Sequence, residues 1–247
     1  MDPPRAPLVT TIKERCRLCY TCVRECPAKA IRIAGGQAEV LIDRCIGCGN
    51  CVRVCSQRAK QVFNEIGAVE NLLRSGQHVA ALLAPSFPAE FPEVEHEFVV
   101  GMVRALGFSM VNEVGFGADL VAAEYWRLLS EVKDKRFIAT TCPAIVGYIE
   151  RYHPDLVPSL APIVSPMVAA ARALRRLYSK DLRVVFIGPC IAKKGEAGSE
   201  AIAGEIDAVL TFVELRELCQ IKAVKPESVI PSDFDPPHAS TGVLFPI

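Results

Sequence analysis

Eight of the 11 cysteines fall into two runs of one form. Cys16, Cys19, Cys22 and Cys26 are spaced C-x2-C-x2-C-x3-C and followed by Pro27; Cys45, Cys48, Cys51 and Cys55 repeat that spacing and are followed by Ser56. An iron-sulfur cubane takes one thiolate on each iron, and three sulfurs at x2 spacing can wrap one tight loop around three of its corners, leaving the fourth to be reached from elsewhere. Zinc sites usually offer two close cysteines and a distant second pair, so the third cysteine of each run would be surplus there. Disulfides would need an oxidising compartment, and nothing in the sequence points to export.

The duplicated run resembles that of dicluster ferredoxins, in which the fourth cysteine of each run serves the other cluster. The resemblance assigns Cys16, Cys19, Cys22 and Cys55 to one [4Fe-4S] cluster and Cys45, Cys48, Cys51 and Cys26 to its partner. The serine after Cys55 loosens only the turn of the second loop.

The 247 residues can form a small module plus a larger domain with its own core, and 51% of them are hydrophobic. Basic and acidic residues balance at 28 each, yet residues 1–60 carry 11 against 5, a net of +6, and the remainder a net of −6. A basic segment can mean nucleic acid, but two thiolate-bound clusters at about −2 each would cancel much of this excess. Arg15, Arg17, Arg24, Arg44 and Arg53 sit among the ligands and read equally as a solvated face or as tuning charges. Residues 1–7 hold no long apolar segment, and no later apolar run approaches the roughly 18 residues that span a bilayer. The expected location is the cytoplasm, with neither membrane nor nucleic acid as a partner.

Residues 1–11 read as a loose lead-in. Residues 30–33 and 38–42 flank Gly35 and Gly36 as a hairpin. So short a module has little core, and bound metal must supply much of its folding energy. Thereafter apolar periodicity predicts helices over 62–73, 94–106, 118–132, 145–152 and 165–178. Strands are predicted over 78–83, 110–114, 137–139, 183–187 and 206–212, the last feeding a helix through Gln220. Alternating strands and helices make an α/β domain with a largely parallel sheet. The proline-rich tail from Pro226 is poorly periodic. Cys219 reads as core packing, the four histidines show no metal-binding spacing, and Gly115-Phe116-Gly117 is a weak nucleotide signal lacking the third glycine.

Ligands gather at the carboxyl edge of open parallel sheets, and three strand ends there carry candidate chemistry. They are Ala84-Pro85-Ser86, Thr140-Thr141-Cys142-Pro143-Ala144, and Gly188-Pro189-Cys190-Ile191-Ala192-Lys193-Lys194-Gly195-Glu196. Out of context, Cys142 and Cys190 would be packing thiols, and Lys193 and Glu196 solvated charges. In context, these segments resemble the active-site domain of iron-only, or [FeFe], hydrogenases, as do Gly107-Phe108 and Phe116-Gly117-Ala118-Asp119-Leu120. The resemblance implies that Cys142 and Cys190 each give a thiolate to a third cubane linked to a two-iron centre. It further implies that Lys193 binds a cyanide of that centre, Glu196 belongs to a proton path, and Ala84, Pro85 and Ser86 line the cavity.

The sequence departs from the family pattern in three places. Thr141 stands where catalytic members keep a proton-passing cysteine, Gly188 replaces the usual methionine, and the third motif with two further cysteine ligands is absent. The segments look closest to sensory branches, in which regulatory domains often follow.

The expected architecture is an α+β ferredoxin-type dicluster module over residues 1–60 followed by an α/β, hydrogenase-like domain over 61–247, incomplete at its C-terminal end. Two [4Fe-4S] clusters are expected, with a third cubane and two-iron centre only on an extended chain. The expected role is passage of electrons to or from the hydrogenase-like domain, in a sensory or regulatory setting, with a ferredoxin or reductase-like protein as redox partner. The rivals are a catalytic hydrogenase and a plain electron carrier or assembly-related iron-sulfur protein.

Overall fold

The computed structural model describes residues 7–242. In the first 62 residues, strands β1 (Val9–Thr11), β2 (Ile31–Ala34), β3 (Gln37–Val40) and β4 (Lys60–Val62) frame two short helices, α1 (Thr21–Arg24) and α2 (Asn50–Arg53). β2 and β3 form the expected hairpin, with both turn glycines at positive φ. β1 pairs antiparallel with β4, Val9 opposite Val62 and Thr11 opposite Lys60.

That pairing corrects two expectations. Residues 9–11 of the lead-in form a strand, and 60–62 form its partner, so the helix expected from 62 begins at 66. The two strands are about fifty residues apart in sequence, and no local periodicity reports such a partner. β4 runs from Lys60 to Val62 and so spans residue 60.

The second region continues with α3 (Ile66–Arg74), β5 (Val79–Leu83), α4 (Phe87–Glu90), α5 (His96–Ala105), β6 (Met110–Glu113) and α6 (Val114–Glu131). Then come α7 (Pro143–Tyr152), α8 (Pro166–Leu177), β7 (Arg183–Gly188), α9 (Ala192–Ala197), β8 (Ala208–Thr211) and α10 (Phe212–Ile221). β5 to β8 form one parallel sheet in the order β6-β5-β7-β8. All five residues of β5 and all four of β8 are buried, as befits strands covered by helices on both faces. The chain steps from β5 outward to β6 and returns on the other side at β7. The carboxyl ends of β5 and β7 are therefore the switch point where an open sheet leaves a crevice.

The strand expected over 137–139 is not part of this sheet. Ile138 makes only an isolated bridge to Leu160, with Ile138 N–H donating to the Ser159 carbonyl at 2.7 Å. Three residues bounded by charged Lys135 and Arg136 offer too little apolar surface to compete for a buried sheet edge. α6 begins at Val114, earlier than expected, because its glycines serve packing. A Cβ on Gly117 would run into the Pro166 carbonyl and stand 2.9 Å from Ala170 Cβ, so Gly115-Phe116-Gly117 reads as a close helix crossing. The tail is anchored: Asp235 accepts from Val111 N–H at 2.7 Å and pairs with Arg104 at 2.7 Å. Cys219 lies in the main core, as expected.

Candidate functional site

Each cysteine run follows the same local course. Its first two thiols lie on a loop entering a one-turn helix, the third lies on that helix, and the fourth follows it. The loops turn sharply at positive φ: Leu18 and Tyr20 in the first, Gly47 and Gly49 in the second. The Ala30 amide donates to Cys26 Sγ and the Ala59 amide to Cys55 Sγ, each at 3.3 Å, so the fourth thiols are held alike.

Between the runs the thiols sort across the chain. One recess is lined by Cys16, Cys19, Cys22 and Cys55 together with Thr11 and Lys60. Burial pushes the Cys22 thiol up, Lys60 opposes this, and the neighbouring Cys55, Cys16 and Cys19 add to it. Burial likewise raises Cys45, and it lifts Cys51 to about 11; both feel Cys48 and Cys26. These thiols surrender their protons when iron binds, so loading releases protons. Cys19 is the opposite case, lowered by its contact with the Thr21 hydroxyl at 3.4 Å. Cys22 thus neighbours Cys16, Cys19 and Cys55, and Cys51 neighbours Cys45, Cys48 and Cys26, a grouping of thiols that fits iron-sulfur clusters. Among the described residues no three His, Cys, Asp or Glu side chains converge on a single metal ion. Thiols on a cubane each face a different iron and need not converge.

The second cysteine loop sits directly on the strand-end segment of β7. A Cβ on Gly47 would stand 3.0 Å from Ala192 Cα, and one on Gly49 would stand 2.9 Å from Ile191 Cδ1. At Gly47 the neighbour is backbone and leaves no room for a side chain, and the loop reaches the residues immediately after Cys190. From the other side Tyr152 of α7 places its hydroxyl 2.6 Å from the Ala28 carbonyl and 3.0 Å from that of Arg44, and Arg151 donates to the Asp43 carbonyl at 3.1 Å.

The strand-end residues converge at the switch point. Ala84 N–H donates to the Ile187 carbonyl at 2.8 Å, tying the end of β5 to β7, with Pro85 half-buried and Ser86 exposed beyond it. Cys142 caps α7, its carbonyl accepting from the Ile145 and Val146 amides. The Thr140 amide donates to the Tyr125 hydroxyl at 3.0 Å and its own hydroxyl to the Ile163 carbonyl at 2.6 Å, which holds the Thr141–Cys142 loop in the absence of a strand. Burial pushes the Cys190 thiol up, the Lys193 and Ala192 amides oppose this, and Cys142 is close enough to add to it. Two thiols are thus brought together. Cys219, whose thiol burial alone lifts to about 11, lies in the apolar core. Two thiols do not fit a cubane that takes four, so these residues alone do not hold a third cluster.

Lys193 is only 4% exposed, so it is no solvated charge. Its ammonium reaches Glu196 Oε2 at 2.8 Å and the Thr141 carbonyl at 3.4 Å, linking three candidate positions. Glu196 also lines a cleft of about 680 Å³ between module and domain, together with Leu8, Ile46, Pro143 and Ser165. Gly188 explains its departure from methionine: a Cβ there would stand 2.7 Å from the Phe186 ring and 2.8 Å from Ala84 Cβ.

Sequence reasoning missed two lysines. Lys194 is buried and bonded at 3.0 Å to both Glu65 and Glu214, and Glu214 also forms the capping box of α10 with Thr211. Its signal was available in Thr211-x-x-Glu214, a capping pattern before an apolar helix. Lys60, also buried, belongs to the cysteine module.

Comparison with known proteins agrees with this arrangement. Residues 77–246 match the family described as iron only hydrogenase large subunit, C-terminal domain, and residues 8–56 the 4Fe-4S dicluster domain. Iron hydrogenase 1 of Clostridium pasteurianum is 26% identical over 204 residues, 72% of this chain and 36% of that protein. The cytosolic Fe-S cluster assembly factor NAR1 homolog of Schizosaccharomyces japonicus is 26% identical over 189 residues, 64% of this chain and 37% of that protein. The chain therefore spans little over a third of the length of these relatives. An [FeFe]-hydrogenase HydA1 variant from Chlamydomonas reinhardtii shares the fold with a TM-score of 0.62 at 24% identity, covering 72% of this chain and 52% of that one. Among the described residues no helix is long and apolar enough to cross a membrane.

Proposed function

The chain belongs to the iron-only hydrogenase family, and from that premise we propose that it is an iron-sulfur redox protein whose cysteine module exchanges electrons with the Cys142–Cys190 site. The observation that carries this reading is the seating of Gly47 and Gly49 on Ile191 and Ala192, which brings the second cysteine loop against the Cys190 segment. Bound to its thiolates, an iron-sulfur cluster supplies one-electron transfer. The chain's own residues position that chemistry. Cys16, Cys19, Cys22 and Cys55 would hold one cluster, and Cys45, Cys48, Cys51 and Cys26 the other. Cys19 and Cys48 are exposed, which supports exchange with an external ferredoxin or reductase-like protein at that face. Lys193 donates to Glu196 Oε2 and so orients that carboxylate at the edge of the cleft.

A sensory or regulatory role is the finer reading. Thr141 supports it, because a hydroxyl is a far weaker acid than a thiol with a pKa near about 8.5 and is a poor proton relay. A second reading, a role in iron-sulfur cluster assembly, is favoured by relatives described as cytosolic Fe-S cluster assembly factors, which also favour a cytoplasmic location.

Anaerobic reconstitution tests the proposal. The chain should take up about eight irons, and Cys26→Ser should damage the cluster of Cys45, Cys48 and Cys51 rather than that of its own run. Zinc in place of iron, or loss of the cluster of its own run, would sink it. Hydrogen evolution at a rate typical of the family after maturation would favour the catalytic reading, and cluster transfer to an apo acceptor the assembly reading.

A further inference from the structure

The two halves of the cysteine module are copies offset by 29 residues, since Cys16, Cys19, Cys22 and Cys26 map onto Cys45, Cys48, Cys51 and Cys55. The strands obey the same offset. β1 maps onto β3 and β2 onto β4, and each strand pairs antiparallel with one from the other class. At one position the copies differ in kind. Ile31 lies opposite Val40 in the first sheet, and the equivalent pair in the second is Lys60 opposite Thr11. Both Ile31 and Lys60 are 7% exposed, so a lysine occupies a core site that its sister half fills with a branched hydrocarbon.

The ammonium of Lys60 donates to Thr11 Oγ1 at 2.6 Å and to the Ala38 carbonyl at 3.1 Å, and the Thr11 hydroxyl in turn contacts Ala38 O. All these partners are neutral. Among the described residues no carboxylate comes within ion-pair distance of Lys60, unlike Lys193 and Lys194, which are buried against glutamates. A buried charge without a counterion is expensive, and proteins normally supply the opposite charge nearby. Lys60 lines the recess that holds Cys16, Cys19, Cys22 and Cys55, and its charge is felt at Cys22 of that set and at Cys51 of the other.

We propose that Lys60 is the internal countercharge of the dicluster site, a positioning residue set between both thiol sets that favours their reduced, more negative states and so raises both reduction potentials. The inference rests on the two-cluster reading above. A cation in a low-dielectric site stabilises the added electron more than the oxidised state, because the attraction grows with the charge it faces. Thr11 and Ala38 aim the ammonium, taking the place of the apolar contact made by Val40 and Ile31 in the sister half.

The test is an EPR-monitored redox titration of the full chain, reconstituted anaerobically. It compares wild type, Lys60→Met, Lys60→Arg, and Thr11→Val with Lys60→Ile, the last copying the apolar pair of the sister half. In the neutral variants both potentials should fall, by about tenfold in the reduction equilibrium, which is about 59 mV for a one-electron couple. Lys60→Arg should stay near wild type. Loss of clusters in both neutral variants with retention in Lys60→Arg supports the countercharge equally. Neutral variants that hold wild-type iron at unmoved or raised potentials overturn it, as does equal loss of iron in all the variants. Wild type holding about eight irons with unmoved potentials in the variants would overturn the lysine assignment alone, whereas wild type without iron would overturn the two-cluster reading with it.

Discussion

Where the α/β domain buries strand after strand, with Ala81, Leu82, Val185, Ile187, Val209 and Leu210 all fully enclosed, the cysteine module buries Cys22, Cys26, Ala28, Ala30, Ile31 and Ala38. A buried leucine or isoleucine stabilises by about 1.5–3 kcal/mol, an alanine by much less, so the module has few such contributions to draw on. Its interior is instead made of ligands, some with protonation states that burial opposes. The difference teaches that one chain carries two principles of stability. The larger region is packed with hydrocarbon and the smaller with cysteine and alanine, and the two meet through Gly47, Gly49 and Tyr152.

The largest expected effect breaks the comparison directly. Anaerobic removal of iron from the loaded chain should abolish hydrogen-exchange protection over residues 9–62 while β5 to β8 keep theirs. Equal protection of both regions after chelation would show that the module has a sufficient core. Within the α/β domain, Lys194→Met leaves the buried Glu214 and the half-buried Glu65 without their cation and should cost about 3–5 kcal/mol in denaturant unfolding. A cost below about 1 kcal/mol would mean that the carboxylates find water. Leu82→Ala, in the fully buried centre of β5, should cost about 2–5 kcal/mol in the same measurement without lowering iron content. Parallel loss of iron would show that the two regions are one cooperative unit.

Smaller effects sharpen the contact between the regions. Tyr152→Phe removes a hydroxyl bonded to the module backbone and should cost about 1 kcal/mol, seen as faster exchange of residues 28–45 with β5 and β7 unchanged. Glu65, just after the module, is raised by burial, and Lys194 only partly offsets this. The folded carboxyl thus keeps its proton to higher pH than the unfolded one. Its contribution is full below the ordinary glutamate range and is lost as pH rises through the raised value. Glu65→Gln should flatten stability against pH just above that range, and an unchanged slope would remove Glu65 as the cause.

The cysteine module was legible because its chemistry lies in spacing: four thiols at x2, x2 and x3 define a loop before any fold is known. The parallel strands were legible because burial on both faces writes them as unbroken apolar runs, as in residues 79–83. The Thr141–Cys142 loop was misread around 137–139 because three apolar residues look alike whether they enter a sheet or make a single bridge. Lys193 read by itself as a solvated charge because sequence does not report burial.

By itself the sequence determined the duplicated cysteine run, the β2–β3 hairpin and the four parallel strands, since each is written in residue types a few positions apart. Only the tertiary structure decided that Lys60 lines the recess of Cys16, Cys19, Cys22 and Cys55, that Lys194 ties Glu65 to Glu214, and that the second cysteine loop rests on Ile191 and Ala192. Those partners are separated by as many as 149 residues, the distance along the chain from Glu65 to Glu214. Charge and close packing act through space, where distance along the chain carries no information.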